Sequence, residues 1–408
     1  MKNAFGGVGR ALASRPYRIY WIGQVPHVQG QWIYRVAAGW MMFDMTQSPA
    51  WLGATGFAMS APALVLSPLA GALCDRIGHR RMSLIATATS AFAVLTTAAL
   101  AYAGLMTPSL LIALVLLLAI STAFEFPARQ SLVSVLLDRS ILTEGMALNW
   151  AVFNAAFFTG PLFAGLLLAA GGPPLAFAAV GAACLWMFGA LARIPLAEMA
   201  QPRSTEAGGL LADVISGIRY TLAHPVIPVV IALQVAASVL IRPYVDLMPG
   251  FAGAVFGRGE EALATLLAGS GVGALLVSVG LTLFSRESWL PYTFVVGAVC
   301  SGVSLVAFAA TDNYWLAVAV LLIVGGGTTA TGIANATIIQ QHVDAGYRGR
   351  VVSLNMAFQM GTPAFGSLAL GWLAEFIGLQ LAIGIAGLVF LASMAPFTRT
   401  LFRMPRPS

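Results

Sequence analysis

Apolar stretches of about 20 residues recur along the whole chain, and they constrain its fold more than any other feature. As α-helices, such stretches cross roughly 30 Å of hydrocarbon. Of the 408 residues, 59% are hydrophobic and only 9% are charged, against roughly 25% charged in an ordinary soluble domain. Because a helix satisfies its own backbone hydrogen bonds in lipid, the sequence predicts an all-α, polytopic membrane protein.

Twelve spans are predicted from the apolar stretches and the helix-breaking residues between them. Gly and Pro mark two of the joins most clearly, at residues 104–108 and 171–174. The predicted spans are about 17–45, 50–72, 82–104, 108–137, 143–170, 174–195, 225–250, 262–284, 289–310, 314–342, 350–375 and 379–398.

The basic residues predict the orientation of these spans. With both termini in the cytoplasm, nearly all of the 21 Lys and Arg residues lie in cytoplasmic segments or at their edges, as the positive-inside rule requires. The exceptions are Arg35, Arg129 and Arg242 within spans and Arg258 in an outer loop. The net charge of +6 therefore reflects topology. Since the basic residues are scattered over short loops, no nucleic-acid partner is expected.

A long polar connection divides the spans into two sets of six. The sequence predicts an N-terminal half at 1–196, a cytoplasmic linker with an amphipathic helix at 197–224, and a C-terminal half at 225–408. Residues 148–172 align without gaps with residues 354–378, and both segments begin with Leu-Asn. An even number of spans per half gives the two repeats the same orientation, as in two-domain transporters. Chance similarity between Gly/Ala-rich helices is the alternative.

The loop between spans 2 and 3 reads GALCDRIGHRRMS. It resembles the signature loop of the major facilitator superfamily of membrane transporters. His79 stands where Arg or Lys is usual. The resemblance implies that Asp75 and the arginines latch the inner gate when the transporter faces outward; the alternative is a basic loop that only fixes orientation. The matching residues are Gly71, Asp75, Arg76, Gly78, Arg80 and Arg81.

Span 5 carries a second resemblance, to the antiporter motif of the same superfamily. Gly160, Pro161 and Gly165 match this motif, and at three other positions Ala stands where the motif has Gly. Almost the whole chain resembles the drug/proton antiporter branch, which includes macrolide exporters and the enterobactin exporter. The resemblance implies proton-driven export across the cytoplasmic (inner) membrane of a bacterium. It rests on FEFPARQSL in span 4, RPYVDLMPGFAGAVFG in span 7 and YRGRVVSLN at the start of span 11.

Polar side chains follow one helical face of the spans that line the central cavity in similar proteins, namely spans 1, 4, 7 and 10. They recur at steps of 3 and 4 residues, which place them on one face of a helix. Unpaired polar atoms facing lipid are costly, so a polar interior or a water-filled cavity explains them. Hydrogen bonds between helices are the alternative for the uncharged members. The predicted cavity residues are Gln24, His27, Gln31, Arg35, Gln234, Ser238 and Asn335.

Two acids, each with a base four residues away, are the candidates for proton coupling. They are Glu125 with Arg129 in span 4, and Asp246 with Arg242 in span 7. A functional role is favoured because ionised groups cost more to bury than amides or hydroxyls. We expect Glu125 to take up a proton when its contact with Arg129 loosens, so that proton and substrate select different conformations. His27 is a second candidate for the proton, with a hydrogen-bonding role as the alternative.

These features together predict a major facilitator exporter of an amphipathic small molecule, driven by inward proton flow. A cavity with Arg35, Arg129 and Arg242 against Glu125 and Asp246 has an excess of positive charge. An anionic or zwitterionic substrate such as a siderophore is therefore as well supported as a lipophilic cationic drug. Proton-coupled uptake of a small metabolite is the alternative, and a non-transporting scaffold or receptor is a remote one.

Catalytic and cofactor-binding motifs do not appear in the sequence. There is no Ser/His/Asp order, HExxH motif or nucleotide-binding loop, and the three cysteines have no metal-ligand spacing. We therefore expect no enzyme activity, no cofactor and no metal site. A functional monomer is expected, with the small-molecule substrate, protons and membrane lipid as its partners.

Overall fold

The computed structural model describes residues 9–138, 140–194, 210–284, 289–344 and 346–402. Within these ranges every regular element is a helix, and eight helical stretches, one of them the interrupted run Ile227–Val255, are long and apolar enough to cross a membrane. The helices are α1 (Arg15–Thr46), α2 (Pro49–Ile77), α3 (His79–Tyr102), α4 (Pro108–Leu136), α5 (Leu142–Arg193), α6 (Leu210–Ala223), α7 (Ile227–Leu240), α8 (Tyr244–Gly250), α9 (Glu260–Phe284), α10 (Leu290–Ala309), α11 (Tyr314–His342), α12 (Arg348–Gly361), α13 (Pro363–Ile377) and α14 (Leu379–Phe402), with a π-helical turn at Phe251–Val255 after α8.

These helices form the predicted spans. Helices α1 to α4 are spans 1 to 4, and the 52 residues of α5 would extend about 78 Å as one straight helix. Non-helical backbone angles at Gly171 and Gly172 break α5 into spans 5 and 6, and Gly172 has a φ of 68°, a conformation that favours Gly. Spans 8 to 10 are α9 to α11, and span 12 is α14.

Spans 7 and 11 are interrupted, which the sequence reading did not predict. Span 7 consists of α7, α8 and the π-helical turn, with residues 241–243 outside helical structure; span 11 consists of α12 and α13. Pro243 and Pro363 lie at the two breaks, and proline lacks the N–H that would continue a helix. Because the break lies between Arg242 and Asp246, the four-residue spacing does not place them on one continuous helical face.

The predicted repeat is confirmed by equivalent contacts in the two halves. Asn149 at the start of span 5 donates its Nδ2 to Oε1 of Gln130 in span 4, at 3.4 Å. At the equivalent place, Asn335 in span 10 donates its Nδ2 to Oδ1 of Asn355 in span 11, at 3.3 Å. Each half therefore joins the same pair of helices through amide side chains.

Contacts divide the chain into two compact units. The first comprises residues 1–41 and 65–207, and the second comprises residues 42–64 and 208–408. In the first, α3 packs against α4 and α5; in the second, α11 packs against α9 and α10. Residues 42–64 group with the second unit, although the predicted N-terminal half contains them. The predicted linker at 197–224 is described only from residue 210, so the three domain boundaries stay predictions.

Close backbone approach holds α9 against α11 in the second unit. A Cβ added at Gly273 would collide with the carbonyl oxygen of Leu322, and one at Gly325 with that of Ser270. Small residues at such crossings are typical of helix packing in membranes, where van der Waals contact is a main source of association.

Candidate functional site

Glu125 lies at the centre of a buried cluster in the first unit. Nε2 of His27 on α1 is 2.8 Å from Oε1 of Glu125. Arg129, one turn further along α4, donates from Nη1 to the same oxygen at 2.9 Å. Thr87 on α3 donates to it from Oγ1 at 3.3 Å. Thr87 and Arg129 therefore donate to one carboxylate oxygen from two helices, and the His27 imidazole contacts it from a third. The Glu125 side chain is only 1% exposed.

The guanidinium of Arg129 is also covered. Its central carbon lies 6.0 Å from the centroid of the Tyr20 ring on α1, within the range of a cation–π contact. An isolated charge in the interior costs several kcal/mol, so a buried acid and a buried base are each tolerated because of the other. The predicted pairing of Glu125 with Arg129 on one helical face is therefore present in the structure.

Buried hydroxyl groups on α3 extend this cluster, and sequence reasoning missed them. Ser90 Oγ donates to Ser121 Oγ of α4 at 2.9 Å, and Ser121 Oγ donates to the carbonyl oxygen of Ala86 at 2.5 Å. Thr97 Oγ1 lies 3.4 Å from the Tyr34 hydroxyl of α1. Thr87, Ser90 and Thr97 are spaced by 3 and 7 residues, which places them on one face of α3. This spacing was the available signal, but the predicted polar faces comprised only spans 1, 4, 7 and 10.

Asp246 lies in a different setting, within the second unit. Ser367 on α13 donates from Oγ to Oδ2 of Asp246 at 2.6 Å. Gly56 on α2 packs against the same carboxylate, and a Cβ there would lie 2.7 Å from Oδ2. Arg242 donates from Nη1 to the carbonyl oxygen of Gln359 at 3.2 Å. Asp246 is thus held at a junction of three helices.

The predicted cavity residues divide between the two units. In the second unit, Gln234 donates from Nε2 to Ser238 Oγ at 3.3 Å, and Asn335 bonds Asn355 as described above. In the first unit, Gln24 and His27 are buried, and Gln31 and Arg35 are partly exposed. His27 contacts Glu125 and so belongs to the charged cluster. The substrate cavity itself stays a prediction.

One residue of the signature loop has an evident local role. Arg80 donates from Nε to the carbonyl oxygen of Leu191 at 3.1 Å and from Nη2 to that of Ala192 at 2.9 Å. These carbonyls belong to the last turn of α5, where helical partners are missing and a cation is favourable. Gly78, with a φ of 95°, joins α2 to α3.

The other members of the signature loop lie around this junction. Arg76 and Arg81 are exposed. Gly71 and Asp75 lie in α2, but their side-chain surroundings are outside the described part of the structure. The latch that the resemblance implies therefore stays a prediction.

The antiporter-type segment of span 5 packs closely against α1. A Cβ at Gly160 would collide with Cβ of Trp32, and Pro161 and Gly165 are buried beside it. At the equivalent place of the second half, a Cβ at Gly366 would collide with the carbonyl oxygen of Val239 in α7. Gly therefore serves close helix approach at this point in both repeats.

Comparison with known proteins agrees with this architecture. Residues 10–406 match the major facilitator family described as transmembrane secretion effectors. The chain is 26% identical to the multidrug efflux pump Tap of Mycolicibacterium fortuitum, over 86% of this chain and 87% of that protein. It is 23% identical to the staphyloferrin A transporter of Staphylococcus aureus, over 88% of this chain and 89% of that protein.

Solved structures show the same fold at low sequence identity. A bacterial homologue of the human lysosomal transporter Spinster, inward-facing and occupied, superposes with a TM-score of 0.73 at 16% identity, covering 96% of this chain and 98% of that one. The nucleoside transporter NupG superposes with a TM-score of 0.71 at 12% identity, covering 96% and 100%. The chain therefore belongs to the major facilitator superfamily of membrane transporters, in the family described as transmembrane secretion effectors.

Proposed function

We propose that this transporter exports an amphipathic small molecule, a drug-like compound or a siderophore, in exchange for protons by alternating access. Glu125 is the residue that carries the proton, and Arg129 and His27 hold it. The transporter acts as a monomer in the cytoplasmic (inner) membrane of a bacterium, with both termini in the cytoplasm, a topology supported by the distribution of its basic residues.

The observation that carries this proposal is the burial of Glu125 among His27, Arg129 and Thr87. An ionisable group at membrane depth is costly and marks ion or proton pathways. Protonation of the carboxylate would leave the positive charge of Arg129 uncompensated. Proton binding would therefore change the electrostatic balance between α1 and α4, which can shift a population of conformations. Asp246 and Arg242 are proposed as a second, supporting coupling element.

The substrate class is supported by the relatives rather than by the cluster. One is named as a multidrug efflux pump and another as a siderophore transporter. Among the charged residues predicted for the cavity and for coupling, three are arginines (Arg35, Arg129 and Arg242) and two are acids (Glu125 and Asp246). A compound with an apolar body and an anionic or zwitterionic group suits such a composition, and a lipophilic cation is the other class.

Glu125→Gln in proteoliposomes tests the coupling. The probes are ethidium, as a lipophilic cation, and enterobactin, as a siderophore. We expect an imposed pH gradient to drive either probe against its concentration gradient in the wild type. Glu125→Gln should reduce this movement at least about tenfold, because the neutral amide takes up no proton. Counterflow of the same probe without a pH gradient should persist, since it needs binding and alternation only.

Glu144→Gln is the matched control, because Glu144 pairs with Arg10 at 2.9 Å on an exposed surface of the same unit. It should leave pH-driven transport unchanged. Full pH-driven transport by Glu125→Gln would overturn the proposal. Movement of the probe in the same direction as protons would overturn export by antiport and favour uptake.

A further inference from the structure

We propose that the proton binds Glu125 at Oε2, and that Gln24 is the positioning residue that holds the protonated carboxyl group. This inference rests on the proposed function, because it assumes that Glu125 is the proton carrier. It moves Gln24 from the predicted substrate cavity to the proton site.

The two oxygens of Glu125 have different surroundings. Oε1 is contacted by Nε2 of His27 at 2.8 Å, Nη1 of Arg129 at 2.9 Å and Oγ1 of Thr87 at 3.3 Å. A carboxylate oxygen has about two lone-pair sites, so these contacts occupy Oε1. Oε2 is buried and has no hydrogen-bond partner among the described residues. The oxygen that can accept a proton without displacing a donor is therefore Oε2.

Gln24 lies opposite this ion pair by helix geometry. On α1 it is four residues after Tyr20, which covers Arg129, and three residues before His27, which contacts Glu125. These steps place the three side chains on one face of α1, with Gln24 between the other two. Along α1, the Gln24 position therefore lies between the contact with Arg129 and the contact with Glu125.

The amide of Gln24 lacks a protein partner in the described part of the chain. The residue is 1% exposed, and neither Nε2 nor Oε1 of the amide has a hydrogen-bond partner there. Leaving buried polar atoms unsatisfied is unfavourable. The Gln24 amide, buried and without a partner in this state, is therefore available for a hydrogen bond that forms when Glu125 is protonated.

The amide can accept a hydrogen bond from the protonated form of Glu125. When a proton from the aqueous phase reaches the cluster, one O–H bond forms at Oε2 and the charge of the cluster rises by one; no other covalent bond changes. The new hydroxyl can then donate to the amide oxygen of Gln24, since an amide offers both an acceptor and donors. The contacts on Oε1 can persist through this step. Proton uptake therefore does not require the Arg129 contact to break first, in contrast to the expectation from sequence.

The titratable or charged groups around this carboxylate come from three helices. They are His27 and Tyr20 on α1, Arg129 on α4 and Cys184 on α5. Imidazole is the only one of these group types that ordinarily titrates near neutral pH. The test must therefore distinguish protonation of Glu125 from protonation of His27. Measuring the variants in a His27→Gln background removes the imidazole and makes this distinction.

The test is the pH dependence of gradient-driven ethidium or enterobactin transport in proteoliposomes. Gln24→Met keeps the length of the side chain but removes the acceptor. We expect the half-maximal pH to move downward by about one unit, a tenfold loss of proton affinity. Gln24→Asn keeps the amide on a shorter chain and should recover at least half of this shift. Both effects should persist in the His27→Gln background.

Gln29→Met is the matched control, because Gln29 lies on the same helix but bonds Thr159 of α5. It should not move the half-maximal pH. If Gln24→Met leaves the half-maximal pH unchanged while Glu125→Gln abolishes coupling, this inference is wrong and the proposed function stands. If Glu125→Gln keeps coupling, both are wrong. If Gln24→Met does not fold, an unshifted profile in Gln24→Leu overturns the inference in the same way.

Discussion

Buried carboxylates in this protein occur where the fold supplies donors for them. Glu125 accepts hydrogen bonds from Thr87 and Arg129 on two helices, and Asp246 accepts one from the hydroxyl of Ser367 at 2.6 Å. A hydrogen bond to a charged group is worth about 1.5–3 kcal/mol, more than a neutral one. Since Ser367 and Asp246 are 121 residues apart, such a donor follows from packing and not from local sequence.

Ser367→Ala should therefore lower the free energy of unfolding by about 1.5–3 kcal/mol, because a buried charge loses a donor. The measurement is the unfolding midpoint of the purified protein in detergent. Ser393→Ala is the control: the Ser393 hydroxyl donates to the Phe390 carbonyl oxygen of its own helix at 2.6 Å, and we expect a change within about 0.5 kcal/mol. Equal midpoints for the two variants would contradict this account of Asp246.

The site was predictable from sequence only in its local part. Glu125 and Arg129 were paired correctly because residues four apart lie on one face of a helix. The contact of Thr87 with Glu125 joins residues 38 apart, and the packing of α3 on α4 decides it. Likewise, His27 was placed on the polar face of span 1 but not against Glu125.

At the scale of elements, the junction between α6 and α7 is held by a single imidazole outside the spans. Nδ1 of His224 accepts hydrogen bonds from the backbone N–H groups of Val226 at 3.2 Å and Ile227 at 3.3 Å. These are N–H groups at the start of α7, which lack helical partners. A ring nitrogen that accepts in this way is unprotonated, so His224 is neutral here. Burial, followed by the nearby His342 at 6.5 Å between ring centroids, lowers the pKa of His224.

This arrangement predicts that the start of α7 loosens in acid. Because the folded pKa of His224 is lowered, the stability that this cap contributes is present above the unfolded pKa of about 6.5 and is lost as pH falls through the folded pKa. Loss of a cap costs about 1 kcal/mol, or about fivefold in hydrogen exchange. After correction for intrinsic rates, we expect the backbone amides of Val226 and Ile227 to exchange about fivefold faster at pH 5.5 than at pH 7.5.

Two variants distinguish the loss of the hydrogen-bond acceptor at His224 from the protonation of its imidazole. His224→Asn keeps a side-chain acceptor that does not titrate, so protection should no longer depend on pH. His224→Ala should exchange fast at both pH values. A wild-type protection that is the same at pH 7.5 and 5.5 would contradict the capping account.

At the scale of the whole molecule, the start of span 2 is bound to span 11 within the second unit. Glu375 Oε2 on α13 accepts from Ser48 Oγ at 2.7 Å and from the Ala50 N–H at 3.1 Å. A Cβ at Gly371 would lie 2.6 Å from the Cα of Gly53. The first turns of α2 are therefore capped and packed by α13. This contact explains why residues 42–64 group with the C-terminal part of the chain.

If residues 42–64 move with the predicted N-terminal half during the proposed alternating access, this contact opens in each cycle. We predict that cross-linking Ser48→Cys to Glu375→Cys with a short, cleavable bifunctional thiol reagent stops pH-driven transport. The background lacks Cys74, Cys184 and Cys300. Rates should fall at least about tenfold and recover on reduction, because a covalent link leaves the population in one conformation. The control pair, Thr46→Cys with Ala50→Cys, lies within one segment and should transport normally after the same treatment. An undiminished rate in the cross-linked protein would show that this contact stays closed.

The sequence alone determined the twelve spans, the Gly and Pro joins, the two repeats and the Glu125–Arg129 pair. Each of these depends on apolar length, on backbone restrictions or on spacing within one helix, all of which are local. The breaks in spans 7 and 11 were within reach of the same reasoning, since Pro243 and Pro363 mark them.

Only the tertiary structure decided which helices face one another. It placed His27 and Thr87 on Glu125, Ser367 on Asp246, and residues 42–64 on α13. It also stacked Tyr220 of the linker helix on Tyr347, with ring centroids 4.3 Å apart, where the sequence predicted only an amphipathic helix. Such contacts join residues far apart in the chain, and they form because membrane helices associate through shape, small residues and polar pairs, none of which a single span specifies.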